Sequence, residues 1–148
     1  MSITKINSIY SLEEIQKGQT FLFDKPKGWT SFDLVKKFKN ILKKTYDIKK
    51  IKVGHAGTLD PLATGLLIVC VGKATKKISY IQNQKKIYSG EITIGSSTPS
   101  YDLETNINCS IPISHIKKET IQEIVKEFLG EINQVPPIFS AIKQNGER

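Results

Sequence analysis

Hydrophobic and polar residues change their period several times along this chain, and each change marks an element. Phe21-Leu-Phe-Asp-Lys-Pro-Lys-Gly28 reads as a short strand ending in a Pro/Gly turn. Thr30 or Ser31 can then cap a helix. In that helix Leu34, Val35, Phe38, Ile41 and Leu42 form one apolar stripe, while Lys36, Lys37, Lys39, Lys43 and Lys44 occupy the polar face. The segment 53–64 has neither period and carries Gly54, Gly57 and Pro61, so a loop is expected. Gly65 to Val71 follows as a buried strand, and Gly72-Lys-Ala-Thr-Lys-Lys77 opens a short helix running to about Ile81. From Lys86 to Gly95 the pattern alternates, with Tyr88, Gly90, Ile92 and Ile94 on one face, which predicts another strand. The stretch 96–109 is polar and irregular. Thr120 to Leu129 is a second amphipathic helix, with Ile121, Ile124, Val125, Phe128 and Leu129 expected to face inward. Thr120 and Glu123 have the capping-box spacing, and Gly130 is a suitable stop. Val135-Pro-Pro-Ile-Phe-Ser-Ala141 should be rigid and extended, because each proline restricts the residue before it.

Strands mixed with helices in no regular βαβ order indicate an α+β fold. Neither an internal repeat nor a dividing linker is visible. The length, 148 residues, is that of one ordinary domain with room for a core. The pattern from Ile138 to Arg148 reads as a strand entering a turn with no return strand, so the sheet is expected to be incomplete as it stands.

Composition narrows the class. Hydrophobic residues make up 39% and charged residues 24%, as in soluble globular proteins rather than disordered ones. The N-terminus lacks a signal-like apolar run, and the best apolar stretch, Leu66 to Val71, is strand-sized rather than membrane-sized. Cys70 and Cys109 are isolated and show no metal-ligand spacing, so free thiols in a reducing cytoplasm are expected, with no metal and no membrane partner. The net charge is +8, and it is unevenly spread: eleven lysines and three aspartates lie between Lys17 and Lys52, while acids outnumber bases from Ser89 onward. A field this lopsided suits a polyanionic partner, because neutralising phosphates releases condensed counterions. A general lysine bias accounts for the same numbers, since 21 of the 22 basic residues are lysine.

The segment with most chemical content is Gly54-His-Ala-Gly-Thr-Leu-Asp-Pro-Leu-Ala-Thr-Gly65. Its glycines permit close approach of a ligand, and Pro61 stiffens the backbone next to Asp60. A carboxylate on a stiff loop ahead of a buried strand can serve as nucleophile or base. By itself Leu59-Asp-Pro61 is also a common turn, and His55 alone is also an ordinary loop histidine.

The whole segment resembles the catalytic signature of the pseudouridine synthase family that modifies the T-loop uridine of tRNA. Phe23-Asp-Lys-Pro-Lys-Gly-Trp-Thr-Ser31, Gly72-Lys-Ala-Thr-Lys76, Lys86-Ile-Tyr88 and Gln134-Val-Pro-Pro-Ile-Phe-Ser-Ala-Ile-Lys143 resemble further motifs of the same family in the same order. The Gly-Trp-Thr-Ser form and Leu62-Ala-Thr-Gly65 favour the stand-alone bacterial enzymes over guide-RNA relatives. The resemblance implies that residues 1–148 are the N-terminal portion of a pseudouridine synthase catalytic domain, an α+β fold with a mixed, largely antiparallel sheet and flanking helices. Its active-site arginine and a C-terminal RNA-binding domain are expected outside this stretch. It implies Asp60 as the catalytic carboxylate and Tyr88 as the tyrosine that stacks on the target base. His55, Gly57, Thr58 and Leu59 would contact the RNA or shape the pocket, and Lys25 and Lys76 would make RNA contacts or support the site. It further implies a monomer that needs no cofactor, with the T-arm loop of tRNA as partner. Ser96 to Thr105 keeps only a loose form of the family's threonine- and aspartate-containing loop, in Thr98-Pro-Ser-Tyr-Asp102. Two other classes fit single features: an RNA-binding or tRNA-folding module without catalysis, from the charge and the missing arginine, and a small acid–base hydrolase, from the proximity of His55 and Asp60.

Overall fold

A computed structural model describes residues 9–135, which group into two units, one ending at Ile87 and the other starting at Tyr88. The first unit contains α1 (Leu12–Lys17), β1 (Gln19–Lys25), α2 (Ser31–Thr45), β2 (Val53–His55) and β3 (Gly65–Val71). A 3-10 helix (Gly72–Lys77) then leads into α3 (Ile78–Gln82). The three strands form an antiparallel sheet in the order β1-β3-β2. Phe21 lies opposite Val69, Phe23 opposite Leu67 and Lys25 opposite Gly65.

Alternation along β1 and β3 sends Phe21, Phe23, Leu67, Val69 and Val71 to the face that α2 covers. The apolar stripe of α2 supplies Leu34, Val35, Phe38 and Leu42 to the same core. Phe38 is its centre. Its ring meets those of Phe21 and Phe23 edge-on, with centroids 4.9 and 4.8 Å away, and it is 1% exposed. Each helix entering this unit from a loop starts with a reciprocal cap. Thr30 Oγ1 accepts from Asp33 N–H while the Asp33 carboxylate accepts from Thr30, and Ser11 and Glu14 do the same for α1.

The predicted strand β1, helix α2, strand β3 and the helical turn after it are all present. The segment 53–64 begins differently from expectation: Val53–His55 is a strand, paired with Val71 to Val69 of β3. Three residues with a central glycine carry no alternation signal, and the ladder with β3 is what makes them a strand.

The second unit holds a two-residue ladder of β4 (Ser96–Ser97) with β5 (Cys109–Ser110), then α4 (Lys118–Val125) and a 3-10 turn (Lys126–Phe128). The loop inside the ladder satisfies itself. Thr98 Oγ1 donates to Asp102 O, and the Asp102 carboxylate accepts from Ser100 Oγ and Glu104 N–H. Lys86 to Gly95, expected as a strand, pairs with no strand among the described residues. Alternation makes a segment able to join a sheet, but only a partner's N–H and C=O groups complete it. The second helix starts at Lys118, with Lys117 as an N-cap that makes no side-chain bond, so Thr120 does not cap. Its apolar residues are exposed instead of inward: Ile121, Ile124, Val125, Phe128 and Leu129 are not buried. The Val135–Ala141 extended segment and the turn up to Arg148 lie, from residue 136 on, outside the described residues.

Candidate active site

The register of the sheet decides where Asp60 sits. Gly65, the first residue of β3, pairs with Lys25, the last of β1. The loop between β2 and β3 therefore returns to the sheet end at which β1 runs into its Pro26–Gly28 turn. Ala56 N–H donates to Ile68 O at 2.8 Å, holding the start of the loop to β3. Gly57 then takes a φ of 107°, a conformation that side chains disfavour.

Two loops meet there, and three residues of the Phe23–Ser31 segment tie them together. Gly28 N–H donates to Pro61 O at 2.8 Å. Ser31 Oγ donates to Leu59 O at 3.1 Å and accepts from Leu59 N–H at 2.9 Å. Strand alternation turns the Lys25 side chain to the core side with Phe21 and Phe23, where it is fully buried. An ammonium out of water must place its protons on acceptors. Its Nζ donates to Trp29 O at 2.6 Å, Pro26 O at 3.2 Å and Pro61 O at 3.4 Å. The residues on both sides of Asp60 are thus fastened, Leu59 by Ser31 and Pro61 by Lys25 and Gly28. The Asp60 side chain is exposed, and among the described residues nothing donates to its carboxylate. A free anion on a braced loop is the chemically available group of this site.

His55 is half-buried, and its Nδ1 lies 2.6 Å from Gly57 O. A carbonyl only accepts, so Nδ1 carries the proton in this contact, and Nε2 is the ring nitrogen it leaves over. Leu59 packs on the core cluster, while Thr58 is exposed.

Of the two roles expected of Lys25, its burial and its hydrogen bonds to Trp29 O and Pro61 O fit support of the loop around Asp60. Lys76 is exposed on the 3-10 helix that follows β3, at the opposite end of that strand from Asp60. Six residue steps of β3 make that separation about 20 Å. Tyr88 opens the second unit, exposed on irregular backbone. The sequence pattern assigns Ser31 and Gly28 no site role. The signal for Ser31 is a small hydroxyl residue at a helix start beside an apolar stripe, which fits a cap equally well.

Beside the braced loop, a groove of about 620 Å³ runs along α2, lined by Gly28, Trp29, Asp33, Lys36, Lys37 and Lys44 among others. Lys37 Nζ sits 4.8 Å from the centre of the Trp29 ring. Hydrogen bonds from Thr30 hold the Asp33 carboxyl below its usual range, so it stays an anion inside the cap. Among the described residues no three His, Cys, Asp or Glu side chains are grouped to share a metal ion. No described helix is long and apolar enough to cross a membrane.

Comparison with known proteins gives this loop its context. Residues 43–148 match the family described as TruB family pseudouridylate synthase (N terminal domain). The chain belongs to this family. A "tRNA pseudouridine synthase B" of Flavobacterium johnsoniae is 58% identical over 137 residues, covering 92% of this chain and 60% of the relative. The protein of the same description from Parabacteroides distasonis is 53% identical, covering 88% of this chain and 56% of the relative. That from Fusobacterium nucleatum is 44% identical, covering 86% and 42%. The chain therefore spans about 60% or less of the length of these relatives. Membership in the TruB family also accounts for the α+β fold of helices around a small antiparallel sheet.

Proposed function

We propose that this protein converts uridine to pseudouridine in the T-arm loop of tRNA, with Asp60 as the catalytic carboxylate. The observation that carries the proposal is the bracing of Asp60: its neighbours are fixed by Ser31, Lys25 and Gly28 while its own oxygens stay open. Positioning a charged group to within fractions of an ångström is what a reaction without an external reactant demands. In this reaction the carboxylate promotes cleavage of the bond between N1 of uracil and C1′ of the ribose. The base turns, a bond forms between C5 and C1′, C5 loses its proton and N1 gains one. Substrate and product are isomers, so nothing is consumed.

A uridine inside a folded loop is out of reach until it is flipped out, which costs a few kcal/mol. Tyr88 stacks on the everted base and offsets about 1–3 kcal/mol of that cost. His55 contacts the RNA through Nε2 next to the flipped nucleotide, and Thr58 and Leu59 wall the pocket. The groove along α2, with lysines interleaved with Trp29, takes phosphates flanking the loop. Residues 1–148 act as the N-terminal portion of the catalytic domain, working as a monomer in the cytoplasm.

Incubation with an unmodified tRNA transcript, followed by mapping of pseudouridine, tests this. Product at the T-loop from the full gene product, abolished in Asp60→Asn with RNA binding kept, is the expected result. Full activity in Asp60→Asn sinks the assignment.

A further inference from the structure

The first turn of α2 carries an aromatic ring that the core does not use. The inward stripe of this helix is complete with Leu34, Val35, Phe38 and Leu42, all buried. Its exposed positions are Phe32, Asp33, Lys36, Lys37, Asn40 and Lys44, so Phe32 is the one apolar side chain among polar and charged ones. It is 66% exposed. A single apolar residue on a surface is ordinary, and what distinguishes this one is its place. Ser31, just before it, is buried and exchanges two hydrogen bonds with Leu59, the residue just before Asp60. Two trans peptide steps and that contact leave the Cα atoms of Phe32 and Asp60 at most about 14 Å apart. The reciprocal cap of Thr30 and Asp33 fixes the backbone on either side, so the ring stands on a rigid turn. The groove along α2 starts at the same turn: Trp29 lies three positions before Phe32, and Lys36 lies one helical turn after it.

We propose that Phe32 is a stacking platform for an unpaired base of the RNA substrate, beside the nucleotide on which Asp60 acts. The proposal rests on the reaction given above. A folded loop that surrenders one base to the site loses the stacking which that base shared with its neighbours. A ring fixed next to the site takes the face of a neighbouring base and offsets the loss. Phe32 takes no part in the chemical step; it sets affinity and decides which loops are accepted.

Affinity of the full gene product for an unmodified tRNA transcript decides it. Phe32→Ala should weaken binding about 5- to 150-fold, the worth of one stacked base. The slope of log affinity against log salt should stay as in the parent, because no phosphate contact is removed. Phe32→Tyr should keep the affinity, whereas Phe32→Leu, apolar but without a ring face, should fall to the level of Phe32→Ala. Transcripts made abasic at one unpaired loop position at a time locate the partner. At one position other than the target uridine, Phe32→Ala should cost nothing further. Melting temperatures of all three variants should match the parent, since the side chain is exposed. Parental affinity in Phe32→Ala, equal affinity of the leucine and tyrosine variants, or an undiminished loss with every abasic transcript overturns the platform. So does a lowered melting temperature in Phe32→Ala, which would assign the ring to the fold. Pseudouridine formed at the T-loop by the parent then leaves the function standing, and its absence from the parent overturns the reaction on which the platform rests.

Discussion

Ser31 and Leu59 exchange two hydrogen bonds across 28 positions of chain, the serine hydroxyl donating to the leucine carbonyl and accepting from its N–H. A single side chain thereby copies the pairing of a neighbouring strand, and it does so one residue before Asp60. Ser31 is 2% exposed, so water does not substitute for it. In Ser31→Ala the Leu59 N–H is left without its partner, a loss worth about 1–3 kcal/mol. Denaturant unfolding should show that destabilisation. Steady-state kinetics of the full gene product should show kcat falling more than KM rises, because the position of the carboxylate is disturbed rather than RNA affinity.

Lys25 separates two interpretations of a motif lysine. As a brace, its removal leaves Trp29 O without its donor, while Pro61 O keeps Gly28 N–H and Pro26 O keeps Trp29 N–H; hydrogen bonds to a charged group are worth about 1.5–3 kcal/mol each before relaxation. Lys25→Met should therefore lower stability by roughly 2–4 kcal/mol while leaving RNA affinity and its salt slope within error. A reduced salt slope at unchanged stability would show instead that the ammonium reaches phosphate.

The pH dependence of folding should carry the mark of the two capping boxes. Hydrogen bonds from Thr30 lower the Asp33 carboxyl below its ordinary 3.8, and those from Ser11 lower Glu14 below 4.5. The folded state then binds fewer protons than the unfolded state just below those values, so stability rises with pH there. The contribution is fully present above about the ordinary carboxyl values. It is lost as pH falls through the depressed folded values. Melting curves between neutral and strongly acidic pH should steepen their decline in this range, and Asp33→Asn should flatten it. An identical profile in that variant would contradict the cap as the source.

The parts of this fold that were legible are those in which one period carries the message. β1 and β3 alternate or run apolar between breakers, and α2 pairs a capping threonine with a stripe at helical spacing. Val53–His55 was illegible because its strand character resides in β3, and Lys86–Gly95 was over-read for the converse reason. At the candidate site, Asp60 was singled out by the resemblance of the whole 54–65 segment to a family signature, since Leu59-Asp-Pro61 alone is a common turn. The bracing was not, since Lys25, Gly28 and Ser31 act through backbone groups 28 to 36 positions away. No local pattern records which carbonyl an ammonium will find.

Tyr88 offers the most direct separation of chemistry from architecture. Its side chain is 73% exposed, so its removal costs the fold little, and any loss of function belongs to a ligand. Base stacking on an aromatic ring contributes about 1–3 kcal/mol, which is about 5- to 150-fold in affinity for an everted base. Tyr88→Ala should lose that much binding to tRNA in the full gene product, while unfolding stays within about 0.5 kcal/mol of the parent, as for surface changes generally. Tyr88→Phe keeps the ring and should retain the affinity; if turnover falls while affinity holds, the hydroxyl assists removal of the C5 proton. Unaltered binding and turnover in Tyr88→Ala would remove this residue from the site altogether and leave the base to another ring.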